Sequence, residues 1–284
     1  MKRKVLKQNL IISFSGGKTS GYMTKLILDN WKHLYNIIVI FANTGQEHEE
    51  TLKFVNNCDK YFNFNTIWVE AVINDKNKGT TFKIVDFKTA SRKGEPFEAM
   101  IKKYGIPNIC YPHCTRELKL APINSYIKFL NWTHYKIAIG IRIDEDRRIS
   151  KKAKINNIIY PLITTWESDI EDINIFWEDQ IFTLNIEQYQ GNCIWCWKKT
   201  DSKHFKLIKE NNKIYNFPAR MELMYGLNGN GNDLKDLGPR TFFRNYRSTI
   251  DMRKEAGLVT KVQLKHMVDN SMITRCTESC EVFL

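Results

Sequence analysis

Short continuous runs of apolar residues alternate, in the first half of the chain, with segments whose apolar residues recur every three or four positions. Runs of the first kind, ended by glycine or polar residues, are typical of buried strands. They lie at 9–14, 36–42, 66–71 and 135–141. Helical spacing occupies 19–28 and begins again at Glu49. Strands that alternate with helices predict an α/β fold, a parallel sheet with helices on both faces.

The second half of the chain has a different character. A long stretch at 72–112, rich in Lys, Gly and Pro, separates the third and fourth predicted strands and is expected to be a functional loop or lid. Residues 166–177 open with acidic side chains and then follow helical spacing. Between 197 and 260 there are 13 basic and 7 acidic residues. We predict an α/β domain at 1–190 and a basic, cysteine-containing helical region at 191–284.

Composition narrows the classes of partner. Of the 284 residues 43% are hydrophobic, and the net charge is +12, which favours anionic partners such as nucleotides or nucleic acid. The longest apolar run, 37–42, is far shorter than the roughly 20 residues of a membrane-spanning helix, and the N-terminus has no signal-peptide pattern. We therefore expect a cytoplasmic protein that does not enter membranes. In that reducing compartment, seven cysteines indicate metal or redox chemistry.

The most informative segment is the turn after the first predicted strand, Ser-Gly-Gly-Lys-Thr-Ser at 15–20. Two glycines let several backbone N–H groups converge, and the following helix points its positive end at the same place. Lys18 adds a full charge. The spacing differs from the Walker A pattern, which has four residues between its glycines. The segment predicts a phosphate cradle; the alternative is an ordinary strand–turn–helix corner with a surface lysine.

Four segments in chain order resemble the motifs of the phosphoadenosine phosphosulfate (PAPS) reductase family, within the PP-loop superfamily of adenine nucleotide alpha hydrolases. Residues 15–20 are similar to the PP-loop, usually Ser-Gly-Gly-Lys-Asp-Ser. Residues 41–55, 140–147 and 160–169 are similar to the second-strand motif, the fourth-strand motif and a Pro-Leu…Trp…Asp segment. The resemblance covers about residues 9–200. It implies a Rossmann-like (HUP/PP-loop) doubly wound parallel sheet with a helical C-terminal region.

The resemblance also implies a nucleotide across the carboxyl ends of the strands. The implied nucleotide-binding residues are Ser15, Gly16, Gly17, Lys18, Thr19, Ser20, Phe41, Asn43, Thr44, Gly140 and Arg142. The implied catalytic residues are Lys18, Arg142 and Arg147, because a guanidinium fork suits phosphate or sulfate. The alternative for the two arginines is an ion pair with Asp144 or Glu145.

One position departs from the family pattern. Thr19 stands where ATP-cleaving members usually have Asp, whereas PAPS reductases typically lack the intact Gly-Gly-Lys that this chain keeps. We interpret the nucleotide as ATP with Mg²⁺, cleaved between its α and β phosphates. The predicted function is an ATP pyrophosphatase that activates an acceptor for sulfur transfer, the acceptor being tRNA or DNA as in related enzymes. The alternatives are a sulfonucleotide reductase and a non-catalytic nucleotide- or nucleic-acid-binding module.

The cysteines resemble a second landmark of the iron–sulfur members of this family. Cys114 follows His113 where that pattern has a cysteine pair, and a Gly-x-Cys-x-x-Cys places Cys193 and Cys196 downstream. Three thiolates leave one iron of a [4Fe–4S] cluster open for sulfur-transfer chemistry. A fourth ligand from His113 or Cys110 suits structural zinc instead. The remaining alternative is a set of reduced thiols without metal.

Two further features stay open at this stage. Cys276 and Cys280 lie in a tail that only faintly resembles the reactive Glu-Cys-Gly-x-His end of PAPS reductases; they are either reactive thiols or part of an unimportant terminus. Cations and aromatic residues are interleaved downstream of the Cys-x-x-Cys, a mixture that suits nucleic acid but equally a helical core with a basic face. The set is Trp195, Trp197, Lys198, Lys199, Lys203, Phe217, Arg220, Tyr225, Arg240, Phe242, Phe243, Arg244, Tyr246 and Arg247.

Overall fold

The described part of the chain folds around one sheet of six strands. The computed structural model describes residues 7–74, 76, 79–187, 189–229 and 238–273, and of 270–273 the backbone alone. The strand order is β4-β3-β2-β1-β5-β6. The strands are β1 Gln8–Ser13, β2 Tyr35–Asn43, β3 Ile67–Ile73, β4 Thr80–Val85, β5 Tyr135–Ile139 and β6 Ile158–Ile159.

Helices make up most of the remaining ordered elements. They are α1 Lys18–Trp31, α2 Glu49–Phe62, α3 Glu95–Tyr104, α4 His113–Thr115, α5 Ala121–Phe129, α6 Pro161–Thr164, α7 Ile170–Glu178, α8 Asp201–Glu210, α9 Asn216–Tyr225, α10 Thr249–Leu258 and α11 Lys261–Ile273. A π-helical turn at Arg116–Leu120 joins α4 to α5. Short 3₁₀ turns lie at Ile143–Arg148, Asn212–Tyr215 and Arg244–Tyr246.

The four predicted strands are confirmed as β1, β2, β3 and β5, and they pair in parallel. Alternation along β1 shows why helices cover both faces. Leu10 and Ile12 pack into the cluster formed with α1, α2 and α7, while Ile11 packs into the cluster formed with α5. The predicted α/β class and parallel sheet with helices on both faces are therefore confirmed.

The expectation that 72–112 is a loop or lid is wrong. This stretch contains β4, which pairs antiparallel with β3, and α3. β4 is an edge strand in which every residue is half-buried or exposed and none is fully buried, unlike the continuous apolar runs of the other strands. Lys83 on this strand pairs with the buried carboxylate of Glu70 at 2.9 Å. Sequence patterning missed the strand because an edge strand needs few buried residues.

The C-terminal helices share a hydrophobic core with the α/β part. In one cluster, Phe97 and Met100 of α3 pack with Trp195, with Phe205 of α8 and with Phe242. Packing is therefore continuous across residue 190. The domain boundary predicted there remains a prediction. None of the described helices has the length and hydrophobicity that crossing a membrane requires.

Candidate active site at the phosphate loop

The turn between β1 and α1 is tightly packed on its inner side. Gly16 has φ +78°, a conformation that L side chains rarely adopt. A Cβ added to Gly16 would lie 2.7 Å from Thr51 Cγ2 and 3.1 Å from the Phe41 ring. Only glycine therefore satisfies both the backbone angle and the close approach of α2, which explains the first glycine of the Gly-Gly pair.

Hydrogen bonds close the loop on itself. The hydroxyl of Ser20, which is buried, accepts from Ser15 N at 3.2 Å and donates to the Gly17 carbonyl at 3.0 Å. Lys18 is half-buried and is the first residue of α1, so it lies at the positive end of the helix dipole. The turn and the helix start that the sequence predicts are present, and binding of an anion there remains a prediction.

Gly140 brings the end of β5 against this loop. A Cβ at Gly140 would lie 3.0 Å from Ser20 Cα, so a side chain there would push the strand end away from α1. Arg142 lies two residues after Gly140, and its Nη1 donates to the Thr19 hydroxyl at 3.1 Å. Thr19, the departure from the family pattern, therefore contacts the residue that the resemblance assigns to the anionic groups.

The two arginines differ in their surroundings. Arg142 makes a two-pronged contact with Asp144, at 2.8 and 3.1 Å, and lies 3.4 Å from Glu145. Arg142 thus forms the ion pair that was the alternative interpretation, and it also contacts the loop. Arg147 is exposed on the 3₁₀ turn, while its neighbour Arg148 pairs with Glu145.

The residues predicted from the second-strand motif lie at the carboxyl end of β2, beside the loop. The Phe41 ring is buried and packs on Trp68 with ring centres 4.9 Å apart. Asn43, fully buried, donates to Glu70 at 2.6 Å, so its amide is occupied within the protein. The hydroxyl of Thr44 donates to Glu47 at 2.5 Å. Nucleotide contacts by these three residues remain predictions.

Two residues that sequence reasoning did not select contact the loop directly. Asn192 Nδ2 donates to the Ser15 carbonyl at 2.9 Å, and Trp177 Nε1 donates to the Lys18 carbonyl at 2.9 Å. Asn192 comes from the segment before the Cys-x-x-Cys and Trp177 from α7, far away in sequence. Neither residue has a sequence pattern that marks a contact with the loop; Asn192 lies between Gly191 and Cys193 in the Gly-x-Cys-x-x-Cys segment.

Three of the predicted metal ligands line one small cavity next to the loop. Its volume is about 30 Å³, room for about two water molecules. The lining residues are Thr44, Glu47, Phe97, Cys114, Thr115, Leu118, Lys119, Cys193, Trp195, Cys196 and Trp197. The folded chain thus brings Cys114 together with Cys193 and Cys196, as the resemblance implied, and adds Thr44 from the nucleotide set.

A buried carboxylate faces the same cavity. The Glu47 side chain is 1% exposed, and its Oε2 accepts from both the N–H and the hydroxyl of Thr44. Its other oxygen, Oε1, has no hydrogen-bond partner among the residues that the structure describes, and the ammonium group of Lys119 lies 3.7 Å away. The positive charge of Lys119 therefore offsets the negative charge of Glu47.

The donor set does not fit the predicted iron–sulfur cluster or zinc ion. Among the residues that the structure describes, no group of three or more His, Cys, Asp or Glu side chains is arranged to hold a metal ion. His113 does not line the cavity; its Nε2 donates to the Gly105 carbonyl at 3.0 Å. Burial lowers the pKa of His113, which keeps its ring neutral. Mg²⁺ bound through nucleotide phosphates needs only one or two carboxylates, so it stays a prediction.

The predicted nucleic-acid surface is largely a core. The rings of Trp195, Trp197, Phe242 and Phe243 are at most 5% exposed and cannot stack on bases; of the predicted rings Tyr246 is exposed. Several cations of the set are also buried or paired with acidic side chains: Lys199, Lys203 and Arg240 are buried, Arg220 pairs with Glu98, and Arg247 pairs with Asp201 and Glu255. The interpretation as a helical core is the better description of the aromatic residues.

Cys276 and Cys280 lie outside the described residues.

Comparison with known proteins agrees with the motifs. The family model described as phosphoadenosine phosphosulfate reductase domain matches residues 9–159, more than half of the chain. The uncharacterised nin region protein ORF290 of Escherichia phage lambda is 33% identical over 198 residues, 68% of this chain and 67% of that protein. The uncharacterised protein MJ0973 of Methanocaldococcus jannaschii is 29% identical over 185 residues, 65% of this chain. This chain spans 34% of the length of that archaeal protein.

A solved structure is also similar. The crystal structure of phosphoadenylyl-sulfate (PAPS) reductase from Candida auris, a phosphate complex, matches with a TM-score of 0.39 and 16% sequence identity. The match covers 64% of this chain and 78% of that one. The match of the family model, the phage relative and the loop geometry agree: the chain belongs to the phosphoadenosine phosphosulfate reductase family of the PP-loop superfamily.

Proposed function

We propose that this protein is an ATP pyrophosphatase of the PP-loop type, which cleaves ATP between its α and β phosphates and activates an acceptor for sulfur transfer. The observation that carries the proposal is the complete loop at 15–20. It combines a glycine at φ +78°, the amino end of α1 and the ammonium group of Lys18 at one edge of the sheet. Such a site binds phosphate groups and neutralises charge that develops on them.

The chemistry of the first step is adenylylation. An acceptor oxygen attacks the α-phosphorus while the bond to the bridging oxygen breaks, and pyrophosphate leaves with that electron pair. Lys18 and Arg142 are the groups proposed to neutralise charge on the phosphates. Arg142 is held toward the loop by its hydrogen bond to Thr19 and its ion pair with Asp144. Because its side chain is already restricted, less conformational entropy is lost when it is positioned for the reaction.

In the second step hydrosulfide, supplied by a sulfur donor protein, attacks the carbon that bears the adenylylated oxygen, and AMP leaves with the bond electrons. The three cysteines beside the loop support sulfur chemistry near the nucleotide. We propose nucleic acid, tRNA or DNA, as the acceptor class because the net charge of +12 favours a polyanion.

The first test is binding and turnover of ATP. Calorimetric titration with ATP and Mg²⁺ is expected to show binding that Lys18→Ala weakens by about tenfold to a hundredfold, since bonds to charged groups contribute about 1.5–3 kcal/mol. Lys25→Ala is the matched control: this lysine lies on the same helix but pairs with Asp29. Folded wild-type protein that does not bind ATP would contradict the proposal.

A product assay separates ATP cleavage from ATP binding. With tRNA or DNA, ATP and sulfide present, chromatography is expected to detect AMP and pyrophosphate in equal amounts from the wild type and much less from Lys18→Ala. If ATP and nucleic acid both bind while neither AMP nor pyrophosphate forms, the protein is a binding module rather than an enzyme.

A second candidate, sulfonucleotide reduction, is favoured by the match to the PAPS reductase family and by Cys114, Cys193 and Cys196 around one cavity. In that reaction a thiolate attacks the sulfur of the sulfonucleotide and the nucleoside phosphate leaves. A second thiol then displaces sulfite, and a thioredoxin-type reductant reduces the resulting disulfide. Sulfite released from PAPS or adenosine phosphosulfate, with that reductant and without ATP turnover, would favour this candidate over the first.

A further inference from the structure

The segment that carries the Cys-x-x-Cys is attached to the region around the phosphate loop by main-chain bonds. His48 N donates to the Asn192 carbonyl at 2.7 Å, and Ile194 N donates to the Gln46 carbonyl at 3.0 Å. Between them, Cys193 forms a bridge of the antiparallel type with Glu47. The segment therefore runs beside the turn that leads from β2 into α2, with Cys193 at its centre.

The Asn192 side chain extends this attachment to the loop itself. Its Nδ2 donates to the Ser15 carbonyl at 2.9 Å and lies 3.5 Å from where a Cβ on Gly17 would be. Its Oδ1 accepts from the Thr51 hydroxyl at 3.5 Å. One amide thus contacts both the phosphate loop and α2, and its neighbour in sequence is a cysteine of the cavity.

A buried cation fixes the other side of the segment. The ammonium group of Lys199, 2% exposed, donates to the Cys193 carbonyl at 2.7 Å. Trp195 Nε1 donates to Gln46 Oε1 at 2.5 Å. Because both ends of the segment are held, a shift of Ser15 reaches Cys193 through Asn192 rather than being absorbed by loose chain.

We propose that Asn192 is a positioning residue that couples the phosphate loop to the cysteine cavity. A nucleotide held by the loop orders Ser15, and through Asn192 it restricts the opening of the segment at Cys193. Conversely, loss of the amide loosens the loop and weakens nucleotide binding. The inference rests on the proposed binding of ATP at this loop.

The test follows the thiols and the nucleotide separately. Alkylation by iodoacetamide is measured residue by residue by mass spectrometry, with and without ATP. In the wild type, saturating ATP is expected to slow alkylation of Cys193 at least threefold, and in Asn192→Ala this protection is expected to disappear. Cys110, which is exposed, and Cys58, which is buried in the core, report reagent activity and global unfolding.

Affinity for ATP, measured calorimetrically on the same samples, provides the second readout. Asn192→Ala is expected to bind ATP about fivefold more weakly, as the loss of one hydrogen bond of about 1 kcal/mol implies. Asn192→Asp has the same size but cannot donate to Ser15 and adds a negative charge beside the cradle, so it is expected to bind more weakly still. Asn30→Ala, which loses an amide bond of 2.8 Å to the Leu26 carbonyl on the outer side of α1, should match the wild type.

The outcomes are distinguishable. If the wild type does not bind ATP, the proposed function fails. If ATP binds but protects Cys193 equally in the wild type and in Asn192→Ala, or if Asn192→Asp binds ATP as well as the wild type does, the coupling is overturned while the function stands. A fall in affinity without a loss of protection would also overturn it, because a merely structural role of Asn192 predicts that pattern.

Discussion

Gly16 carries the strictest requirement of any single residue in the phosphate loop. Its positive φ and the 2.7 Å separation between an added Cβ and Thr51 Cγ2 are two independent reasons why any other residue at this position would destabilise the folded protein. The first glycine of the motif is therefore explained by packing against α2 as much as by access to a phosphate group.

The two costs at Gly16 can be measured apart. Gly16→Ala is expected to lower the free energy of unfolding by about 1 kcal/mol for the backbone angle and by a further 1–3 kcal/mol, roughly, for overpacking. Gly238→Ala is the control, because Gly238 has φ +77° and no atom of the described residues lies within 4 Å of the added Cβ. Urea denaturation should show the larger loss for Gly16→Ala; equal losses would contradict the packing argument.

At the scale of elements, α7 holds the start of α1 in place. Trp177, 1% exposed, packs on Phe54 and donates its Nε1 to the Lys18 carbonyl at 2.9 Å. The amino end of α7 is capped by Asp169, whose carboxylate accepts from Glu171 N at 2.8 Å. Asp169 of the sequence motif therefore caps α7, while Trp177, which lies outside that motif, anchors the same helix to the loop.

Removal of this cap has a predictable cost. Asp169→Ala is expected to lower the free energy of unfolding by about 1 kcal/mol, since the carboxylate satisfies amide groups of the first turn. Asp179→Ala, at the exposed carboxyl end of α7, is the control and should change stability by less than about 0.5 kcal/mol. Thermal denaturation followed by circular dichroism measures both, and an equal loss in the two variants would contradict the capping role.

For the whole molecule, buried titratable side chains link stability to pH. Burial lowers the pKa of His48, His113 and His204, in His204 well below its ordinary value of 6.5. A lowered histidine pKa means that the unfolded chain binds more protons, so stability is present above pH 6.5 and is lost as the pH falls below it. Burial raises the pKa of Asp59 and Glu222, which act in the opposite direction at lower pH.

His204 isolates this effect. Its Nδ1 lies 2.6 Å from the Tyr215 hydroxyl in the C-terminal core. In His204→Gln the free energy of unfolding should fall less steeply between pH 6.5 and 5 than in the wild type, by up to about 1.4 kcal/mol per pH unit for one proton. His134→Gln, on the exposed segment before β5, is the control. Identical slopes in all three proteins would contradict the linkage.

Much of the site was accessible from local pattern. The continuous apolar runs predicted β1, β2, β3 and β5 because buried parallel strands need apolar residues on both faces. The sequence from Ser15 to Ser20 predicted a glycine turn followed by a helix, because both features depend on one short segment. The motif around Gly140 predicted that the end of β5 lies near the loop, and the cysteine motifs predicted that Cys114 lies near Cys193 and Cys196.

Other features have no local signature. β4 was missed because it is a half-exposed edge strand, and Asn192 was missed because an asparagine has no pattern of its own. The aromatic rings after Trp195 suited a nucleic-acid surface equally well until their burial placed them in a core shared with α3.

The sequence alone determined the strand pattern, the phosphate turn and the family, because each depends on residues that are adjacent along the chain or on motifs in order. The tertiary structure decided which distant residues contact one another. The contact between Asn192 and Ser15 and the burial of Glu47 beside three cysteines both join residues far apart in sequence. Such contacts depend on how helices and strands pack in three dimensions, and no local pattern records that packing.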